Sequence, residues 1–275
     1  MYLDTESAFQ HSIRLSQTSA RIVMAPSGGA FRTIVGHGSI RATSVFPSVK
    51  AGYSMPCEAQ HERMHVRICE ADPRIVDYQH QPHRLEIMLS NRSKPLVYFP
   101  DAIRQRDDGS IEVVETKQTQ DQFERSSRYV DKLDYAEQVY ATLGWRFLRL
   151  SQDKDLEVQP LWPNARMISR RNKRRATTAD RLRFQEAADR EGGTLPFGKA
   201  AEVLAADGSY EPCDAVTLLH RLIVGRTAFI DLTRRIEIDS PVKLITDPGP
   251  PSMLRSLPEL FGSDIGFDEL EMELS

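Results

Sequence analysis

The sequence predicts an α/β protein: a mixed sheet flanked by helices, followed by a small domain of three helices and a hairpin. Two observations carry this. Between residues 54 and 150, stretches of alternating apolar and polar residues interleave with stretches of three- and four-residue apolar spacing. Beyond residue 178, three helix-like stretches precede one alternating stretch.

Composition sets the outer bounds. A chain of 275 residues suffices for one large domain or two ordinary ones. Its 40% hydrophobic and 27% charged residues fit a soluble globular protein. No apolar run reaches the roughly 18–20 residues of a membrane helix. The opening MYLDTESAFQHSIRLSQ lacks the charged-then-apolar layout of a signal peptide. A cytoplasmic protein with no membrane partner is expected. Cys57, Cys69 and Cys213 stand apart with no CxxC, which argues against a disulfide framework or a cysteine zinc site. The net charge of −3 does not advertise nucleic-acid binding, but it hides a basic run near residue 170 and an acidic end.

The elements follow in order. Residues 1–20 are polar and read as a flexible N-terminus, and 21–52 as short strands or extended loops. Ser54 to Ala71 predicts a helix, with Ser54 as N-cap, Pro56 in the first turn and Asp72-Pro73 as the stop. RIVDYQH (74–80) and HRLEIMLS (83–90) are strand-like around Gln81-Pro82. Ser126 to Leu143 is the clearest helix: Tyr129, Val130, Leu133, Ala136, Val139, Tyr140 and Leu143 mark its apolar face, and Gly144 ends it. WRFLRL (145–150) is a strand. The first domain thus spans 21–151, and 152–178 reads as a basic linker. Helices are expected over 179–190, 196–206 and 212–224, with a strand pair over 226–245. That is the element order of a winged helix, giving a second domain over 179–246. Residues 247–275, with three prolines at the start and an acidic end, read as a flexible tail.

The candidate site lies in VYFPDAIRQRDDGSIEVVETK (97–117). Asp107-Asp108-Gly109-Ser110 is a hairpin turn. Folding about it brings Asp101 roughly opposite Glu115, and Lys117 shares the Glu115 face because strand side chains alternate. Paired carboxylates suit a hard divalent cation such as Mg²⁺, and a neighbouring lysine can orient water or offset charge on an attacked phosphate. An exposed hairpin with ordinary surface charges would carry the same residue types. Glu62, on the helix before the hairpin, could add a third carboxylate, in competition with Glu58 and Glu70.

Two further patterns compete for attention. His61-Glu62-Arg63-Met64-His65 matches the HExxH of zinc hydrolases, with no obvious third ligand beyond Glu86. Arg170, Arg171, Lys173, Arg174 and Arg175 could bind DNA phosphates or simply be solvated.

The Pro100-Asp101…Glu115-Thr116-Lys117 pattern resembles the PD-(D/E)xK core of restriction-endonuclease-like nucleases. Further pieces sit in order around it: Phe46-Pro47-Ser48-Val49-Lys50, Glu62 ahead of Asp72-Pro73, Val76, Gln81-Pro82 and Phe99-Pro100-Asp101. Together they resemble the TnsA family, the endonuclease subunit of heteromeric transposases, over roughly residues 20–150. The resemblance implies a restriction-endonuclease-like core and a site of Glu62, Asp101, Glu115 and Lys117. Mg²⁺, which Mn²⁺ can replace, would be held by Glu62, Asp101, Glu115 and the Thr116 carbonyl. It also implies cleavage of the 5′ strands at transposon ends. The implied partners are DNA, a TnsB-like DDE transposase subunit and a TnsC-like AAA+ ATPase reached through the C-terminal domain. A stand-alone nuclease and a catalytically silent DNA-binding assembly factor are the other readings of the same residues.

Overall fold

The computed structural model describes residues 9–15, 18–24, 44–170, 175–206 and 212–257. The chain opens with an antiparallel pair, β1 (Phe9–Leu15) and β2 (Thr18–Met24). Next comes a short ladder of β3 (Ser44–Pro47) and β4 (Ser54–Cys57). Helix α1 (Gln60–Ala71) leads into strands β5 (Ile75–His80), β6 (His83–Leu89), β7 (Leu96–Tyr98), β8 (Ala102–Arg106) and β9 (Ile111–Lys117). Helix α2 (Ser127–Thr142) and strand β10 (Arg146–Ser151) complete this part.

Two four-stranded sheets result, in the orders β1-β2-β6-β7 and β10-β9-β8-β5. The second is mixed: β10 runs parallel to β9, and the other pairs are antiparallel. The parallel pair follows from the α2 crossover, since a single hairpin cannot join parallel strands. Side chains of α2 (Leu133, Ala136, Val139, Tyr140) form one core with Leu85 and Ile87 of β6, Ile103 of β8 and Val113 of β9. Each large apolar side chain buried there contributes roughly 1.5–3 kcal/mol.

The C-terminal part contains α3 (Leu161–Ile168), α4 (Thr178–Arg190), β11 (Thr194–Pro196), α5 (Phe197–Ala205), α6 (Pro212–Val224), β12 (Ala228–Phe229) and β13 (Pro241–Leu244). The strands form a sheet in the order β11-β13-β12. This part shares its core with the first: Met64, Ile68 and Ala71 of α1 join Leu218, Leu222 and Phe184.

Three expectations are corrected. The helix expected from Ser54 starts at Gln60, and Ser54 to Cys57 is strand β4. Met55 and Cys57 are buried while Ser54 is exposed, a period of two rather than 3.6. The expected 152–178 linker contains α3, whose Ala165 and Ile168 are buried in the shared core. The tail expected to be free from 247 is docked through 257. Leu254 and Leu257 are buried against the first domain, and the Leu254 carbonyl accepts from Gln79 Nε2 at 3.2 Å. Ser252 Oγ and Arg255 Nε both donate to Asp77 Oδ2, at 2.6 and 3.2 Å. Half of the expected flexible stretch 1–20 falls outside the described residues, and its described half belongs to β1 and β2.

Candidate active site

The β8–β9 hairpin sets the geometry. Its register pairs Ala102 with Val114, so Asp101 and Glu115 follow one step beyond the ladder. Asp101 is half-buried, and its Oδ2 accepts from Thr116 N at 2.7 Å and Thr116 Oγ1 at 2.8 Å. Two donors on one oxygen fix the carboxylate plane. The Asp101 carbonyl accepts from Gln81 N at 2.8 Å, which ties the hairpin to the Gln81-Pro82 corner. Gln81 holds a φ of 46°, a left-handed conformation that non-glycine residues seldom adopt.

Glu115 is buried, and both of its carboxylate oxygens accept hydrogen bonds from polar side chains. Its Oε1 accepts from Lys117 Nζ at 2.5 Å and Tyr129 Oη at 2.7 Å, and its Oε2 accepts from Tyr98 Oη at 2.7 Å. Lys117 Nζ also donates to the Thr116 carbonyl at 3.1 Å. Asp101, Glu115, Thr116 and Lys117 are therefore brought together: Thr116 holds Asp101, and Lys117 joins the Thr116 carbonyl to Glu115.

Glu62 sits in the first turn of α1, and its Oε2 accepts from Glu58 N at 2.8 Å. This is a reach-back cap of the helix start. Its electrostatic partner is Asp101: burial first, then the Asp101 charge, pushes Glu62 up to about 7. Burial and the neighbouring carboxylate likewise raise Glu115. Burial raises Asp101, against Lys117 and the Thr116 hydrogen bonds. Burial pulls the Lys117 ammonium down, but Glu115 and Asp101 outweigh it and hold the group charged. Three acids thus share a poorly hydrated space with one ammonium.

That surplus of negative charge, on hard oxygen donors, fits a divalent cation. Among the described residues no three or more His, Cys, Asp and Glu side chains converge on one metal position. Mg²⁺ commonly binds through one or two carboxylates and completes its octahedron with water, so Asp101 and Glu115 fit it without a third protein ligand.

The HExxH histidines part company. His65 is buried with Nε2 3.4 Å from Cys69 Sγ. His61 lies near Lys117 and Glu115; burial and then the Lys117 charge lower it. A zinc site on this motif therefore finds no third ligand among the described residues. Of the basic run, Arg170 and Arg175 are exposed, while Arg171, Lys173 and Arg174 lie outside the described residues.

Three residues at the site went unread in the sequence. Tyr98 and Tyr129 clamp Glu115 from β7 and α2. His80, buried on β5, places Nε2 3.8 Å from Glu62 Oε2 with no hydrogen-bond partner among the described residues. No sequence signal marks them, because their partners are distant in the chain.

Residues 72–152 match a family model described as TnsA-like endonuclease N terminal. No curated protein matches the chain. The match takes in Asp101, Glu115, Thr116 and Lys117 and begins after Glu62. The hairpin carrying the candidate site thus lies within the stretch that is similar to a TnsA-like endonuclease N-terminal domain.

Proposed function

We propose that the chain is the Mg²⁺-dependent endonuclease subunit of a transposase, hydrolysing the 5′ strands at transposon ends on a restriction-endonuclease-like core. The observation that carries this reading is the Asp101–Thr116–Glu115–Lys117 cluster, in which one charged ammonium stands between the buried Glu115 and the half-buried Asp101.

Asp101 and Glu115 would hold the cation, with the Thr116 carbonyl and Glu62 beside them. When bound, Mg²⁺ would polarise the phosphate and lower the pKa of a water. Thr116 keeps Asp101 in one orientation, and the Tyr98 and Tyr129 hydroxyls do the same for Glu115. Such fixed donors spare the reorganisation that free side chains would need during reaction. Lys117 offsets charge on the phosphate oxygens as water bonds to phosphorus and the bridging P–O bond breaks. Glu62, which shares this space with Asp101, would bind a second cation or its water. The family implies work within a transposase complex on DNA; the proposed partners are a DDE transposase subunit and an AAA+ ATPase, the latter on a winged-helix-like unit over 179–246.

Lys117→Ala tests the reading. Single-turnover cleavage at saturating protein, with partner subunits present, should slow by on the order of 10²-fold while DNA affinity holds. Cleavage at the wild-type rate would reduce Lys117 to a surface charge and favour a silent core.

A further inference from the structure

A second polar feature adjoins the site without belonging to it. A cleft of about 560 Å³ opens between the β6–β7 loop and the start of α2. Arg92 and Lys94 line one wall, and Arg128 and Lys132 the other, with Pro95, Leu96 and Val97 also in the lining. No acidic side chain lines it. None of the four cations has an ion pair among the described residues. Nearby arginines differ: Arg149 sits on Asp134 and Glu137, and Arg146 on Glu112. Four like charges around one concavity repel one another, so the cleft favours an anion.

The cleft is joined to the site by one side chain. Tyr129 lines it and donates its hydroxyl to Glu115 Oε1 at 2.7 Å. Lys132 Nζ lies 5.3 Å from the Tyr129 ring centre and 5.7 Å from that of Tyr98, the two rings that clamp Glu115. A chain of anionic groups whose one member reaches Lys117 would place the neighbouring ones here.

We propose that this cleft is a phosphate-backbone subsite for the DNA strand next to the scissile bond. It rests on the nuclease reading for its ligand, but its own evidence is the cleft and its charge. The lining offers point charges rather than a base-edge pattern, so it would grip the strand without reading sequence.

The test uses the full chain and a short duplex, with affinity measured by fluorescence anisotropy between 50 and 200 mM salt. Arg92→Ala/Arg128→Ala removes one exposed cation from each wall and leaves Lys132 in place over the tyrosines. Arg190→Ala/Lys199→Ala removes the same charge from the exposed C-terminal surface. In the cleft pair, affinity should fall about tenfold for unrelated sequences alike. Its plot of log affinity against log salt should flatten by about 1–2, because each lost phosphate contact removes about 0.9 from the slope. The control pair should bind as wild type. Unchanged affinity and slope in the cleft pair, an equal loss in the control, or no binding by wild type at 50 mM salt would each overturn the proposal. The two readings fail separately. A wild type that cleaves while the cleft pair binds normally removes the subsite alone. A cleft pair that loses binding while wild type never cleaves keeps the subsite and removes the nuclease.

Discussion

Glu62→Gln should stabilise the protein at pH 8 and leave it nearly unchanged at pH 5. Burial and Asp101 raise the Glu62 carboxyl from 4.5 to about 7. Between those values the folded chain holds a proton that the unfolded chain has released, so stability falls as pH rises through that window and is lowest above 7. One pKa unit is worth about 1.4 kcal/mol, so the charged form costs up to about 3 kcal/mol at pH 8. Glutamine has the same shape and keeps a carbonyl oxygen to accept from Glu58 N, but never ionises. For a chain of this size the gain amounts to a melting shift on the order of 5–10 °C. Thermal unfolding of both proteins at pH 5 and pH 8 reads it directly. Equal shifts at the two pH values, or a loss at pH 8, would refute the claim that Glu62 is an electrostatically strained carboxylate beside Asp101.

The docked C-terminal segment makes a separate prediction. Leu254 is fully buried against the first domain, so Leu254→Ala should cost about 2–5 kcal/mol, measured by urea unfolding. Arg255→Ala should cost less, about 0–1 kcal/mol, because its side chain is largely exposed although Asp77 is buried; equal losses from the two would mean that Leu254 does not anchor the segment.

Much of the site was legible because its determinants are local. The Asp108-Gly109 turn fixes the hairpin register, and the register places Asp101 beside Thr116 and Glu115. Strand alternation then puts Lys117 on the Glu115 face. The α2 boundary was legible for the same reason: Ser126 Oγ accepts from Tyr129 N, as an N-cap should. What escaped depends on distant partners. Tyr98 and Tyr129 look like core aromatics until tertiary packing brings both hydroxyls to Glu115. Helix α3 is only two turns long and lies in polar, proline-containing sequence, so its buried Ala165 and Ile168 gave too short a periodic signal. The proline-rich segment at 248–251 suggested a free tail, yet its backbone satisfies Gln105 and the residues after it satisfy Asp77 and Gln79. Prolines limit a chain to extended backbone; they do not stop it from docking.

The proposed function rests on Asp101 and Glu115 forming the cation site of a DNA endonuclease. Its most direct test is single-turnover nicking of a transposon-end duplex in Mg²⁺ by the Asp101→Ala protein, assembled with the proposed partner subunits, alongside a DNA-binding and a melting measurement. Nicking should be lost, by at least about 10²-fold, while DNA binding and the cooperative melting transition remain. Nicking by Asp101→Ala at the wild-type rate would contradict it.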